Sequence, residues 1–300
     1  MTQTARPIAG LVVPLLSPLT EQETIDVAAL ERHVEYVLAS PCDGLFILGS
    51  NGEGAMLTAR ARREMAKETI RIAAGRVPVI AGVLEVSTSR VLEGVADLAG
   101  LGLGGYVATS PLYFDGFSED DLYRHFSAIA GAADAPLLLY NIPQYTSARL
   151  SESLVRRCAT IPNIVGLKDS SGNWADFQGL VLDRPTPDFV VLQGYQPASA
   201  VSLFIGADGL IPGLSNLEPA LIAALYEHAS NGRWPEALQL QARVDHLLRI
   251  RGRALIHANK IIANGKGLME SFVTSPLPHL NETEASSLLL SFDEAREVIE

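Results

Sequence analysis

The sequence is poor in cysteine, in aromatic residues and in basic charge. It has two cysteines among 300 residues, and aromatic residues make up 6%. Cys42 and Cys158 are far apart, which fits neither a disulfide framework nor a zinc-ligand spacing, and we interpret both as small buried residues in a reducing compartment. The formal net charge is -11. Because nucleic acids and anionic membranes favour basic surfaces, this charge argues against both as partners.

Long apolar runs are also absent. No stretch approaches the ~18 consecutive apolar residues of a membrane helix. Residues 1–7 lack the apolar core of a signal peptide. We therefore expect a cytoplasmic protein without a membrane partner. The hydrophobic fraction of 48% is nevertheless ample for a large core.

Two common cofactor signatures are missing as well. The six histidines show no ligand spacing, which argues against a metal-dependent mechanism. A G-x-G-x-x-G pattern occurs at 100–105, but it precedes a predicted strand, whereas a dinucleotide site has it after a strand. The sequence thus argues against dinucleotide binding.

Short, almost entirely apolar segments recur along the chain, with helical patterns between them. Such segments are typical of parallel strands that are covered on both faces. Eight strands are predicted, at 8–16, 44–48, 77–83, 106–108, 136–140, 164–168, 189–192 and 209–211. Eight strand–helix repeats predict an α/β fold, the (β/α)8 TIM barrel. An open doubly wound sheet is the alternative, and the missing dinucleotide fingerprint counts against it.

Helix-boundary patterns support this division. Thr20 and Glu23 have the spacing of a capping box, and Ser118 offers a similar start. Gly75, Gly100 and Gly131 are expected to close helices in the left-handed conformation.

After the eighth strand the pattern becomes entirely helical. The last barrel helix is predicted at 217–230, and further helices follow at 234–251, 254–264 and 282–298. We therefore divide the chain into a barrel, residues 1–230, and a small C-terminal helical appendage, residues 231–300.

Two neighbouring predicted strand ends carry candidate catalytic residues, a lysine and a tyrosine. The active site of such barrels lies at the C-terminal ends of the strands. Tyr140 ends the fifth predicted strand and Lys168 ends the sixth, and neighbouring strands are about 4.8 Å apart. Desolvation lowers the pKa of a lysine and makes its neutral amine accessible near neutral pH, which suits Schiff-base formation with a ketone. Both residues also have a non-catalytic interpretation. Lys168 would then reach solvent or pair with Asp169, and Tyr140 would be an interior tyrosine whose hydroxyl has a hydrogen-bond partner.

A glycine-rich turn follows the second predicted strand. Residues 49–52 read Gly-Ser-Asn-Gly just before a helix. Backbone N–H groups of such a turn can hold a carboxylate, and the Ser50 hydroxyl can link two tyrosines in a proton relay. An ordinary turn is the alternative, because glycine turns after strands are common.

Three motifs together resemble those of one known family. They are Gly-Ser-Asn-Gly-Glu at 49–53, Tyr-Asn-Ile-Pro at 140–143 and Gly-Leu-Lys-Asp at 166–169. In this order and spacing the chain resembles, over essentially its whole length, the dihydrodipicolinate synthase and N-acetylneuraminate lyase superfamily of pyruvate-type class I aldolases. The resemblance implies a homotetramer built from two tight dimers, with no metal and no organic cofactor.

The resemblance also implies roles for individual residues. Lys168 corresponds to the Schiff-base lysine and Tyr140 to the tyrosine that shuttles protons. Tyr113 corresponds to a second tyrosine that reaches into a neighbouring subunit's site. Ser50 and Asn51 correspond to the pair that binds the keto-acid carboxylate, and Ser50 also bridges the proton relay.

Further substrate contacts are expected at other strand ends. Ile211 corresponds to a position whose backbone lines the pyruvate pocket. The rest of the substrate is expected to contact strand-end and loop residues, namely Tyr145, Gly194, Tyr195, Gln196, Ser215 and Asn216.

One departure from the family pattern bears on the substrate. Dihydrodipicolinate synthases carry an arginine two residues after the motif's proline, where this chain has Tyr145, and Arg149 is expected to point elsewhere. We therefore favour a lyase that cleaves a 2-oxo acid, such as a 4-hydroxy-2-oxo or 2-oxo-3-deoxy acid, into pyruvate and an aldehyde. The alternatives are dehydration of a deoxy-sugar acid through the same imine, 4-hydroxy-tetrahydrodipicolinate synthesis, and a sensor that binds a keto acid without turnover.

Overall fold

Eight parallel strands close into a barrel in which each strand pairs with its neighbours in chain order and β8 pairs with β1. The computed structural model describes residues 8–146, 148–252 and 254–297. The strands are β1 (Gly10–Pro14), β2 (Gly44–Ile47), β3 (Val79–Gly82), β4 (Gly105–Thr109), β5 (Leu137–Asn141), β6 (Ile164–Asp169), β7 (Val190–Gln193) and β8 (Gly209–Leu210). The predicted barrel and its eight strands are confirmed.

Helices cover the outside of the barrel. Those between the strands are α1 (Val27–Leu38), α2 (Ala59–Ala73), α3 (Thr88–Leu98), α4 (Glu119–Ala132), α5 (Glu152–Cys158), α6 (Trp174–Leu182), α7 (Ser199–Phe204) and α8 (Pro219–Ser230). The C-terminal helices are α9 (Trp234–Ile250), α10 (Leu255–Gly265) and α11 (Glu282–Glu297), while Val298, the predicted end of the last helix, lies outside the described residues. Within the described part of the chain, no helix combines the length and the apolar composition of a membrane span.

Alternate residues of each strand face the barrel interior and the helices, because successive strand side chains point to opposite faces. Phe46 and Leu138 belong to the interior core, whereas Ile47 and Leu139 pack in the core between strands and helices. Tyr140 follows Leu138 on the same face and therefore belongs to the interior core. Strand alternation thus places the candidate proton carrier inside the barrel.

One of the two predicted capping boxes is confirmed. The Ser118 hydroxyl accepts from the N–H of Asp121, whose carboxylate accepts from the Ser118 N–H. The prediction at Thr20 and Glu23 was wrong, because α1 begins later with Asp26 as its N-cap. The segment before Asp26 is instead a tight turn, in which the Glu23 N–H donates to the Thr20 carbonyl and Glu23 adopts a left-handed φ of 57°.

The predicted helix-closing glycines had mixed outcomes. Gly75 and Gly100 both have φ of 74°, as predicted. The prediction for Gly131 was wrong, because this residue lies inside α4.

The C-terminal helices share a core with barrel helices. Leu225 of α8, Val244 of α9, Ile261 of α10 and Phe292 of α11 are buried in one cluster. This packing joins the appendage to the barrel side that carries α8, and the division at residue 230 stays a prediction.

Candidate active site

Lys168 and Tyr140 lie side by side at the C-terminal end of the barrel, since they are register partners of β6 and β5. Lys168 is only 3% exposed, and its Nζ lies 4.0 Å from the centroid of the Tyr140 ring and 4.8 Å from that of Phe46. Burial lowers the pKa of Lys168 from 10.5 to about 7. A substantial fraction of this amine is therefore neutral and nucleophilic at physiological pH.

The Asp169 side chain lies on the opposite face of β6 from Lys168, and both of its carboxylate oxygens accept hydrogen bonds there. Its Oδ2 accepts from the Asn141 side-chain amide at 2.8 Å, and its Oδ1 accepts from the N–H and the hydroxyl of Ser171. Burial raises the pKa of Asp169. The carboxylate thus orders the turn after β6, and the alternative of a simple Lys168–Asp169 pair finds no support in this geometry.

The Tyr140 hydroxyl forms hydrogen bonds with two serine side chains. Its oxygen lies 3.3 Å from the Ser50 Oγ, and a second hydrogen bond joins it to Ser170. Burial raises the pKa of Tyr140, while both serine hydrogen bonds lower it. The sequence analysis missed Ser170, although its position two residues after Lys168 was an available signal, since residues at i and i+2 share a face.

The turn after β2, which carries Ser50 and Asn51, has a constrained backbone. Leu48 and Glu53 adopt left-handed φ angles of 57° and 56°. A Cβ at Gly54 would lie 1.9 Å from the Leu48 carbonyl oxygen, so only glycine fits there. The turn therefore presents Ser50 to Tyr140 from a tightly closed loop.

Gly194 lies directly against the lysine. A Cβ at Gly194 would come within 2.1 Å of the Ser170 Oγ and 3.0 Å of the Lys168 Cε. Ile211 belongs to the interior core, and its N–H donates to the Gln193 carbonyl. Gly194 therefore lies beside Lys168, and Ile211 lies on the interior face of the barrel.

A cavity of about 230 Å³ opens beside Ser50. Tyr145 and Thr109 line it together with aliphatic residues from the barrel and the C-terminal helices. Ile256 and Leu277 also line the cavity, more than a hundred residues after Tyr145 in the chain. No pattern in the sequence indicated these two residues. Lys168 and Tyr140 are not among its walls, and the cavity meets this pair at Ser50, whose Oγ lies 3.3 Å from the Tyr140 hydroxyl oxygen.

The structure does not bring every predicted residue to this cavity. Ser215 and Asn216 are fully buried, and the Ser215 hydroxyl donates to the Pro212 carbonyl, so these two side chains support the backbone after β8. The Gln196 side chain accepts from the Leu214 N–H.

Asn51 and the two remaining tyrosines lie around the rim. The Asn51 amide packs against the backbone of Gly213. Tyr113 is 82% exposed, has φ of 81°, and its ring packs edge-on against Phe114. Tyr195 is also exposed and borders a separate pocket beside α6. Among the residues that the structure describes, no group of three or more His, Cys, Asp and Glu residues is placed to hold a metal ion.

Comparison with known proteins identifies relatives over nearly the whole chain. The model of the dihydrodipicolinate synthetase family matches residues 7–289. The 4-hydroxy-tetrahydrodipicolinate synthase of Aromatoleum aromaticum is 30% identical over 292 residues, which is 96% of this chain and 98% of the relative. The synthase of the same name from Pseudomonas putida is 30% identical over 279 residues, 92% and 94% of the two chains.

Solved structures agree with these sequence relatives. The dihydrodipicolinate synthase of Bacteroides thetaiotaomicron superposes with a TM-score of 0.90 at 28% identity, covering 97% of this chain and 100% of that one. The Acinetobacter baumannii synthase, solved with pyruvate, has a TM-score of 0.88 at 28% identity over 96% and 99% of the two chains. The barrel and its C-terminal helices are thus shared with these proteins.

Proposed function

Because the chain belongs to the dihydrodipicolinate synthetase family, we propose that Lys168 forms a Schiff base with the C2 ketone of a 2-oxo acid and that the enzyme interconverts this acid with pyruvate and an aldehyde. The protein is a lyase of the Schiff-base class I aldolase type. The observation that carries the proposal is the buried amine, with its pKa near 7, beside the Tyr140 phenol.

The reaction begins with attack of the neutral Lys168 amine on the C2 carbonyl. The resulting carbinolamine loses its hydroxyl as water after proton donation by Tyr140, which leaves a protonated imine. The C4 hydroxyl gives its proton to the Tyr140–Ser50 relay, the C3–C4 bond breaks, and its electron pair moves into the enamine. Protonation at C3 and hydrolysis of the imine then release pyruvate and restore the amine.

The substrate carboxylate is assigned to the turn after β2. Ser50 lies within hydrogen-bond distance of Tyr140, and Asn51 follows it in the same turn. Backbone N–H groups of such a turn bind an anion without any added cation. One turn would thus hold the carboxylate while its serine relays protons.

Aldol cleavage is preferred to synthesis of the relatives' product because of what lines the cavity. By the resemblance to dihydrodipicolinate synthases, Tyr145 replaces the arginine that binds a second carboxylate, and Tyr145 lines the cavity here. Arg149 forms an ion pair with Asp176 of α6. An acceptor that carries its own carboxylate would therefore find no matching cation at these two positions.

Imine trapping tests the proposed function. Borohydride added with pyruvate reduces the imine to a stable amine, and we expect mass spectrometry to find a three-carbon adduct at Lys168. The variant Lys168→Ala should lose the adduct and the release of pyruvate, whereas Lys67→Ala, which removes an exposed lysine of α2, should retain both. An active enzyme with unmodified Lys168 after treatment under saturating pyruvate would refute the proposal.

We also propose that the protein is a cytoplasmic homotetramer. Tyr113 and Phe114 form an exposed aromatic pair at the end of β4, and burying them in a subunit interface would remove apolar surface from water. Sedimentation equilibrium should give the mass of four chains, and Tyr113→Asp with Phe114→Asp should shift it to a smaller species. One structural neighbour is described as a monomeric synthase variant, and a monomer here would refute this assignment.

A further inference from the structure

We propose that the cavity beside Ser50 selects an uncharged, largely apolar aldehyde as the reaction partner of pyruvate. This inference rests on the proposed function, because it names the substrate class of the same site. It concerns the half of the substrate that leaves Lys168 when the carbon–carbon bond breaks.

The cavity walls are mainly aliphatic. Leu84 and Ile142 are buried walls from the barrel, and Leu112 follows β4. Ile256 of α10 and Leu277 of the segment after it line the cavity from the C-terminal part of the chain. Transfer of apolar surface from water into such walls is favourable in proportion to its area, so a hydrocarbon group gains most there.

Among the described residues, the lining offers no cation to a negatively charged acceptor. No Lys, Arg or His of the described residues lines the cavity, and Lys260 and Thr274 already engage the two carboxylate oxygens of Glu53, its one carboxylate within that part of the chain. A carboxylate or phosphate on the aldehyde would lose water here without gaining a cation.

The lining also offers few partners to an acceptor with many hydroxyls. Three hydroxyl side chains line the cavity, and that of Ser50 already bonds to Tyr140 in the proton relay. The Thr109 hydroxyl is buried and has no hydrogen-bond partner within the described residues. Because the Thr109 hydroxyl is covered, Tyr145 is left to bind the single oxygen of a simple aldehyde, whereas a sugar aldehyde would leave several hydroxyls without partners.

The cavity has room for an aldehyde of several heavy atoms. Its volume of about 230 Å³ is many times the roughly 10–15 Å³ of such space that one water molecule needs. Hexanal and benzaldehyde are apolar aldehydes suited to test it.

Competing acceptors provide the test. We would measure kcat/KM for addition of pyruvate to hexanal, benzaldehyde, glyceraldehyde and succinic semialdehyde, which differ in apolar surface, hydroxyls and charge. The two apolar aldehydes should exceed the other two by at least tenfold. Equal values, or a preference for the hydroxylated or charged aldehyde, would overturn the inference.

A pair of variants connects the preference to the cavity wall. Tyr145→Arg introduces a cation at the wall and should raise the ratio of succinic semialdehyde to hexanal activity at least tenfold. Leu182→Arg places the same charge at an exposed site at the end of α6 and should leave that ratio unchanged. An equal change in both variants would contradict a role for the wall.

The two proposals fail in different ways. Trapping of pyruvate on Lys168 by borohydride needs no aldehyde. If trapping succeeds and the apolar aldehydes are not preferred, only the acceptor assignment is wrong. If trapping fails, the imine mechanism itself is wrong.

Discussion

The Lys260 Nζ lies 2.5 Å from the Glu53 Oε1, and both side chains are fully buried. Lys260 also donates to the Phe272 carbonyl at 2.6 Å, and the Glu53 Oε2 accepts from the N–H and the hydroxyl of Thr274. Glu53 ends the turn that carries Ser50. This buried cluster therefore ties the C-terminal helices to the turn to which we assign the substrate carboxylate.

Loss of the lysine from this cluster should destabilise the protein strongly. Lys260→Met leaves Glu53 buried without its cation, and breaking such a pair costs about 3–5 kcal/mol. Urea unfolding should show this loss as a lower transition midpoint. Arg76→Met, which breaks an exposed pair with Glu35, is the matched control and should have a much smaller effect. A similar midpoint for the two variants would contradict a structural role for the buried pair.

Imine formation should depend on pH through Lys168. The reactive amine is neutral, and the pKa of Lys168 is lowered to about 7 by burial. The rate should therefore rise about tenfold per pH unit below pH ~7 and become constant above it. Borohydride trapping of pyruvate from about pH 5 to about pH 10 measures this profile. A rate that still climbs beyond pH ~9 would show that the lysine titrates as it does in water.

Acid should destabilise the fold through His33. This side chain is fully buried, its Nε2 lies 2.9 Å from the Asn216 Oδ1, and burial lowers its pKa from 6.5 to about 4. Between these two values the unfolded chain binds a proton that the folded chain does not, so stability falls as the pH drops from 6.5 towards 4, by about 3 kcal/mol in total.

Urea unfolding at neutral pH and near pH 4 measures this loss. His33→Gln should reduce the difference between the two conditions. His246→Gln removes an exposed histidine of α9 and should keep the wild-type loss, because His33 is still present. An unchanged pH dependence in His33→Gln would assign the acid sensitivity to other groups.

A methyl group at Gly194 should impair catalysis. Its Cβ would lie 2.1 Å from the Ser170 Oγ and 3.0 Å from the Lys168 Cε, so Gly194→Ala must displace the serine and push on the lysine. We expect kcat to fall by at least tenfold. Gly131→Ala, inside α4 and with no atom within 4 Å of the new Cβ, should keep full activity and gain stability of about 0.5–1 kcal/mol. Full activity in Gly194→Ala would contradict the placement of Lys168.

Local patterns in the sequence were sufficient for the barrel and for the centre of the site. Almost entirely apolar strands alternate with amphipathic helices, and a barrel covered by helices is one of the few arrangements that bury both faces of such strands. Once the barrel is formed, adjacent strand ends must be neighbours, and Tyr140 and Lys168 are register partners as expected. The capping box at Thr20 failed because the turn pairs Thr20 with Thr24 and Glu23 bonds to Ser275, a residue far along the chain.

The sequence by itself determined the strand order, the buried lysine and the tyrosine beside it, because these follow from period and spacing within a few dozen residues. Only the tertiary structure decided which side chains surround them. Ile256 and Leu277 reach the cavity through packing of the C-terminal helices, and Ser215, a strand-end residue in the sequence, turns into the protein. Such contacts depend on how distant elements fill space together, and no local pattern encodes that packing.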